Sequence, residues 1–97
     1  LLAVVRLGDG DAGIEPHERI VSAGCAVQNM LLMAHALGFG AALTSGKALA
    51  SNALRRLFAL GDDEQALCFL SVGSVIKGRP PRVRPQPRQY VTTLPVA

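Results

Sequence analysis

Apolar residues fall along this chain in more than one rhythm. The opening LLAVVRL, residues 1–7, is apolar apart from Arg6, and it predicts a short buried strand closed by Gly8-Asp9-Gly10-Asp11. From Pro16 to Leu37 the spacing is helical, with Ile20, Val27, Met30, Leu31, Ala34 and Leu37 forming one broad stripe. Pro16 suits the first turn, Glu15 and Glu18 favour the N-terminus, and Gly38 suits the C-cap. Ala23, Gly24, Ala26 and Met33 keep most other faces of this helix apolar or small. A helix that is apolar nearly all round belongs in a core or an interface. Its stretch Ala23-Gly24-Cys25-Ala26 would let another backbone come close.

Beyond Gly38-Phe39-Gly40 the rhythm breaks up. Ala41 to Leu43 reads as a short extended piece, and Ser45 or Ser51 could cap a second helix. That helix is expected over 49–60, with Arg55 and Arg56 outward and Gly61 as its stop. Residues 62–64 (DDE) make a turn, and 66–76 (ALCFLSVGSVI) are the clearest buried strand. Between Gly78 and Pro87 four prolines forbid regular structure, so the chain there should run extended. Residues 88–94 (RQYVTTL) alternate and would suit an edge strand. The order of strand, long helix, short helix, strand and extended tail gives an α+β class with few strands. So small a sheet is marginal alone, and the terminal strand needs a partner sheet.

Composition sharpens this into an expectation of burial against something else. The chain has 97 residues, one domain's worth, of which 49% are hydrophobic and only 18% charged. That leaves too little polar surface for an ordinary monomer, so a second chain or a further part of its own should cover it. The opening in mid-strand without Met agrees with a partial chain. No stretch is long and apolar enough to span a bilayer, and no signal peptide is recognisable. Cys25 and Cys68 sit in apolar surroundings without metal spacing, which reads as buried free thiols of a cytoplasmic protein.

Charge is uneven. Lys77, Arg79, Arg82, Arg84 and Arg88 fall within twelve positions that hold no acid, inside a net charge of +3. Such a run can be a solvated tail, a phosphate contact or a nucleic-acid arm. No aromatic is interleaved before Tyr90, which argues against the nucleic-acid reading.

No catalytic constellation stands out. His17 has no nucleophile spaced to join it, His35 reads as a partly buried polar residue, and neither a nucleophile elbow, a P-loop nor a metal pattern occurs. Any catalysis must draw its reactivity from a cofactor.

One stretch does carry a recognisable order. SAGCAVQNMLLMAHALGFGAALTSGKAL followed by ALCFLSVGSV resembles the C-terminal half of the nitroreductase family. There a small-residue helix runs to a Gly-Leu/Phe-Gly turn, followed by a short strand, a Thr/Ser-Gly segment, a small helix and a strand ending in Gly. The closing RVRPQPRQYV resembles the family's Arg/Lys-x-Arg stretch. The resemblance spans roughly residues 14–94. It implies a nitroreductase-like α-β sandwich, with residues 1–76 as the C-terminal portion of that domain and 77–97 as a basic Pro-rich tail ending in an edge strand exchanged with a dimer partner. It further implies FMN bound at a homodimer interface, NAD(P)H as reductant, and a nitro compound, quinone or similar small molecule as acceptor. Leu43, Thr44, Ser45 and Gly46 match the segment along the flavin ring, and Arg82 and Arg84 match the pair that reaches the FMN phosphate, with Lys77 and Arg79 as the alternative pair. The family's opening phosphate motif belongs to an N-terminal half that these residues do not include. The competing readings are a non-catalytic homo-oligomerising remnant of the fold, a small nucleic-acid-binding protein, and, for Thr44-Ser45-Gly46, the plain start of the second helix.

Overall fold

Residues 1–8 and 13–96 are described in the computed structural model of the chain. Three strands and two α-helices follow in the order β1 (Leu2–Arg6), α1 (Pro16–Ala36), β2 (Gly40–Thr44), α2 (Asn52–Leu57) and β3 (Glu64–Gly73). The sheet is antiparallel in the order β1-β3-β2, so the last strand is the middle one. β3 is long enough to hold its two neighbours in staggered positions. β1 pairs from Arg6↔Glu64 up to Leu2↔Phe69, and β2 from Thr44↔Phe69 to Gly40↔Gly73. Both flanks meet only around Phe69 and Leu70, where Leu43 pairs with Leu70 and the Leu1 backbone exchanges hydrogen bonds with it. Leu70 is accordingly 3% exposed, the deepest of the buried apolar residues Val5, Val27, Ala34, Leu54 and Leu70.

α1 packs on β1 and β2. Its start is fixed by Pro16 in the first turn and by Glu15 N–H donating to Glu18 Oε2 at 2.8 Å. Its end is a Schellman motif: Phe39 N–H reaches Ala34 O at 2.9 Å, Gly38 N–H reaches His35 O at 3.0 Å, and Gly38 takes φ +85°. The inward face differs from the expected stripe. Val27 and Ala34 are buried, with Arg19, Ala23 and Leu31 half-buried, whereas Ile20, Met30 and Leu37 are exposed. In a helix with apolar residues on nearly every face, sequence spacing does not decide which one meets the sheet. Cys25 and His35, expected buried and partly buried, are exposed; Cys68 is half-buried, and both thiols are free.

The second helix is shorter than expected. A 3₁₀ turn, Lys47–Ala50, precedes α2, and α2 stops before Ala59, which takes φ +51° ahead of Gly61. Ser51 caps it: its Oγ accepts from Leu54 N–H at 3.2 Å and donates to Ala48 O at 2.8 Å. Arg55 turns inward rather than outward, its guanidinium donating to the carbonyls of Gly61 and Glu64 and tying α2 to the start of β3. β3 begins at Glu64, two residues earlier than the apolar run, because Glu64 and Gln65 pair with Arg6 and Val5.

Residues 88–94 form no strand in the single chain; Pro87–Gln89 is a 3₁₀ turn and the remainder is exposed without regular structure. Alternation alone makes no strand where no neighbouring strand supplies hydrogen bonds. The radius of gyration is 17.5 Å, against about 13 Å for a compact chain of this length. The accessible surface is 8244 Å², whereas a compact monomer of this mass would show about 5,300 Å². On α1 alone Val21, Leu32 and Met33 are each more than half exposed.

Candidate functional site

The staggered sheet brings the end of β2 to the middle of β3. Leu43 sits opposite the buried Leu70 yet is itself 49% exposed, and Thr44 sits opposite Phe69. Ser45 and Gly46 follow, both exposed, with Gly46 in extended backbone at φ 179° and ψ −178°. The Thr44 and Ser45 hydroxyls make no hydrogen bond to the described residues. A Cβ added at Gly46 would meet nothing within 4 Å.

Local structure does not require these side chains. Gly46 opens the 3₁₀ turn through its carbonyl, which accepts from Leu49 N–H at 3.1 Å, and no side chain caps that turn. The capping role falls to Ser51 instead. Residues 43–46 thus present an apolar side chain, two unengaged hydroxyls and open space beside a glycine. That set suits a flat ligand with an apolar face and polar edges.

Arg82 and Arg84 lie apart from this loop in sequence and in bonding. Both are exposed on the tail, and neither makes a hydrogen bond or ion pair with the described residues; Lys77 and Arg79 are in the same condition. No such bond joins the arginines to residues 43–46 within one chain. The acids gather elsewhere, where Arg6 meets Asp63 at 3.4 Å and Glu64 at 3.6 Å at the β1–β3 end.

Two open grooves flank β2 and the turn after it. One, of about 340 Å³, is lined by Gly40–Ala42 and Ser71–Val75; the other, of about 420 Å³, lies among Leu49, Ala50, Arg55 and Gln65–Leu67. Neither includes residues 43–46. His17 and His35 are exposed and separate, and no group of three potential metal ligands occurs among the described residues. No helix among them is long and apolar enough to cross a membrane. Sequence reasoning missed Gly40, whose close contact with Val75 joins residues far apart in the chain and leaves no local signal.

Comparison with known proteins bears on the fold and the family. A nitroreductase-like family protein from Bacillus cereus superposes with a TM-score of 0.81 at 16% sequence identity, covering 94% of this chain and 48% of that one. The present chain therefore spans about half the length of that structure. No curated protein sequence gives a match. The sequence profile described as the Nitroreductase family matches residues 2–74, from β1 through the end of β3. By that match over most of its length, the chain belongs to the nitroreductase family.

Proposed function

We propose that the chain contributes the C-terminal part of an FMN-dependent NAD(P)H oxidoreductase of nitroreductase type, acting on nitro compounds, quinones or similar acceptors. The observation that carries this reading is the exposed segment Leu43–Gly46 with its unengaged hydroxyls, at the end of the edge strand β2 and beside the middle of β3, in a chain of this family. Leu43 would lie along the ring face, and Thr44, Ser45 and nearby backbone N–H groups would meet its polar edge, favouring the anionic reduced form. Arg82 and Arg84 would hold the FMN phosphate, a role for which the planar guanidinium fork is suited. When bound, FMN supplies the redox chemistry, and the residues here orient it and shield it from water. No residue of this chain is assigned as a general acid or base.

The assembly that fits is a homodimer in the cytoplasm, without membrane or nucleic-acid partners. Its support is the surface excess of this one chain, about 2,900 Å² over that of a compact monomer, which a second chain or a further part of the parent protein would cover. The same excess favours one second reading, a non-catalytic homo-oligomer of this fold without flavin. Flavin titration separates the two. Saturable FMN uptake with the flavin absorbance band supports the oxidoreductase, and a colourless oligomer that takes up no FMN supports the second reading.

A further inference from the structure

The direction of the tail is decided at one rung of the sheet. Gly40 and Gly73 face each other where β2 begins and β3 ends. A Cβ on Gly73 would meet nothing within 4 Å, but one on Gly40 would lie 2.6 Å from Val75 Cγ2, well inside the separation at which carbon atoms attract. Gly40 is the sole glycine among those described whose missing side chain is replaced so closely. Val75 is β-branched and stiff at χ1, so its methyl does not swing aside freely. Past it Ile76 is fully exposed, and the hydrogen bonds beyond Gly73 among the described residues are internal to residues 86–91.

We infer that Gly40 is the seat of the tail: Val75, resting on its bare backbone, fixes the direction in which residues 76–96 leave the sheet and thereby aims Arg82 and Arg84. Gly40 is thus a positioning residue, acting on the phosphate of the flavin only through Val75 and the tail. This rests on the reading of those arginines as phosphate contacts. It also couples them to β2, the strand that carries Leu43 and Thr44 at its other end.

Gly40→Ala, Val75→Ala, the double variant and Gly73→Ala, each in the whole chain, test this. Trypsin cuts after Lys77 and Arg82, which precede Gly78 and Val83, but poorly after Arg79 and Arg84, which precede proline. Unseating Val75 should speed cleavage after Lys77 roughly fivefold, since cleavage follows the population of the open form. The double variant should cleave no faster than Val75→Ala, because the clashing methyl is gone, and Gly73→Ala should match wild type. A wild-type rate in Gly40→Ala, or effects that multiply in the double variant, would overturn the seat. If Gly40→Ala fails to fold by circular dichroism, Val75→Ala decides, and an unchanged rate there overturns the proposal equally. For the ligand, Gly40→Ala should lose about fivefold in FMN affinity with riboflavin affinity unchanged; equal losses for both would overturn the aiming of the arginines. Wild-type protein that binds neither flavin refutes the flavin reading and with it the aiming, while the cleavage rates still judge the seat.

Discussion

The sheet-and-helix body and the tail obey different physics. In the body each element has a partner: β3 is paired on both sides, α1 rests on β1 and β2, and Arg55 ties α2 to β3. In the tail, prolines and the hydrogen bonds among residues 86–91 set the local conformation, and no hydrogen bond or ion pair ties residues 76–96 to the body among the described residues. Val83, Leu94 and Val96 are each at least 90% exposed, and the tail arginines have no bonded partner among the described residues. The body is specified by contacts within the chain, whereas the tail carries apolar and cationic groups that the described residues leave exposed and unbonded. The candidate ligand residues divide along the same line, the loop Leu43–Gly46 in the body and Arg82 with Arg84 in the tail.

The contrast breaks hardest under truncation of apolar side chains. Leu70→Ala removes the most buried side chain, at the one place where both neighbouring strands meet β3, and should cost about 2–5 kcal/mol. Val83→Ala, on a residue 98% exposed, should move stability by less than about 0.5 kcal/mol. Urea unfolding of the two variants checks both. A destabilisation by Val83→Ala comparable to that of Leu70→Ala would mean that the tail folds onto the body.

The second test separates the two halves of the candidate site. Removing both tail arginines, Arg82→Ala with Arg84→Ala, should weaken FMN more than riboflavin, which lacks the phosphate. Each charge-assisted contact should account for about 1.5–3 kcal/mol. Equal losses for the two ligands would return the tail to a solvated run of charge.

What the sequence disclosed follows the same division. Local signals were legible: Gly38 ending α1, Ser51 as one of two candidate caps for α2, and the apolar run that became most of β3. The segment Leu43–Gly46 was legible only through its order among other motifs, since neither period nor composition marks it. Long-range facts were not legible. The phase of α1 was misjudged because its small and apolar residues leave no polar face to set it. The polar start of β3 depends on pairing with β1, the inward turn of Arg55 on two distant carbonyls, and Gly40 on Val75. Residues 88–94 alternate like a strand, but a strand is a relation between two segments, and none of the described residues pairs with them.

Gly24 probes the outward face of α1, where body and expected partner would meet. It is exposed, and a Cβ there would meet nothing within 4 Å. Gly24→Leu should therefore stabilise the isolated helix by roughly 1 kcal/mol, as loss of a mid-helix glycine does. The same change should weaken self-association by about 1–3 kcal/mol if a second backbone packs there. Sedimentation at micromolar protein, read beside thermal unfolding, checks the opposite signs. A protein that is monomeric at all concentrations would remove the partner, and an unchanged association constant would turn Gly24 to solvent.

The smallest effects come from comparing serines six positions apart. Ser51 spends its hydroxyl inside the fold, accepting from Leu54 N–H and donating to Ala48 O. Ser45 and its neighbour Thr44 spend theirs on nothing described. Ser51→Ala should accordingly lower stability by about 1 kcal/mol, the usual loss of an N-cap, and leave flavin affinity alone. Thr44→Val with Ser45→Ala should do the reverse. Stability stays near wild type, because no internal hydrogen bond is removed, while FMN affinity falls by about 0.5–1.5 kcal/mol per lost bond and reduction becomes less favourable. Thermal unfolding, the FMN dissociation constant and the midpoint potential, measured on both variants, give the decision. If Thr44→Val with Ser45→Ala lowers stability and leaves affinity and potential unchanged, the loop is a structural turn, and the ring edge is held by other residues.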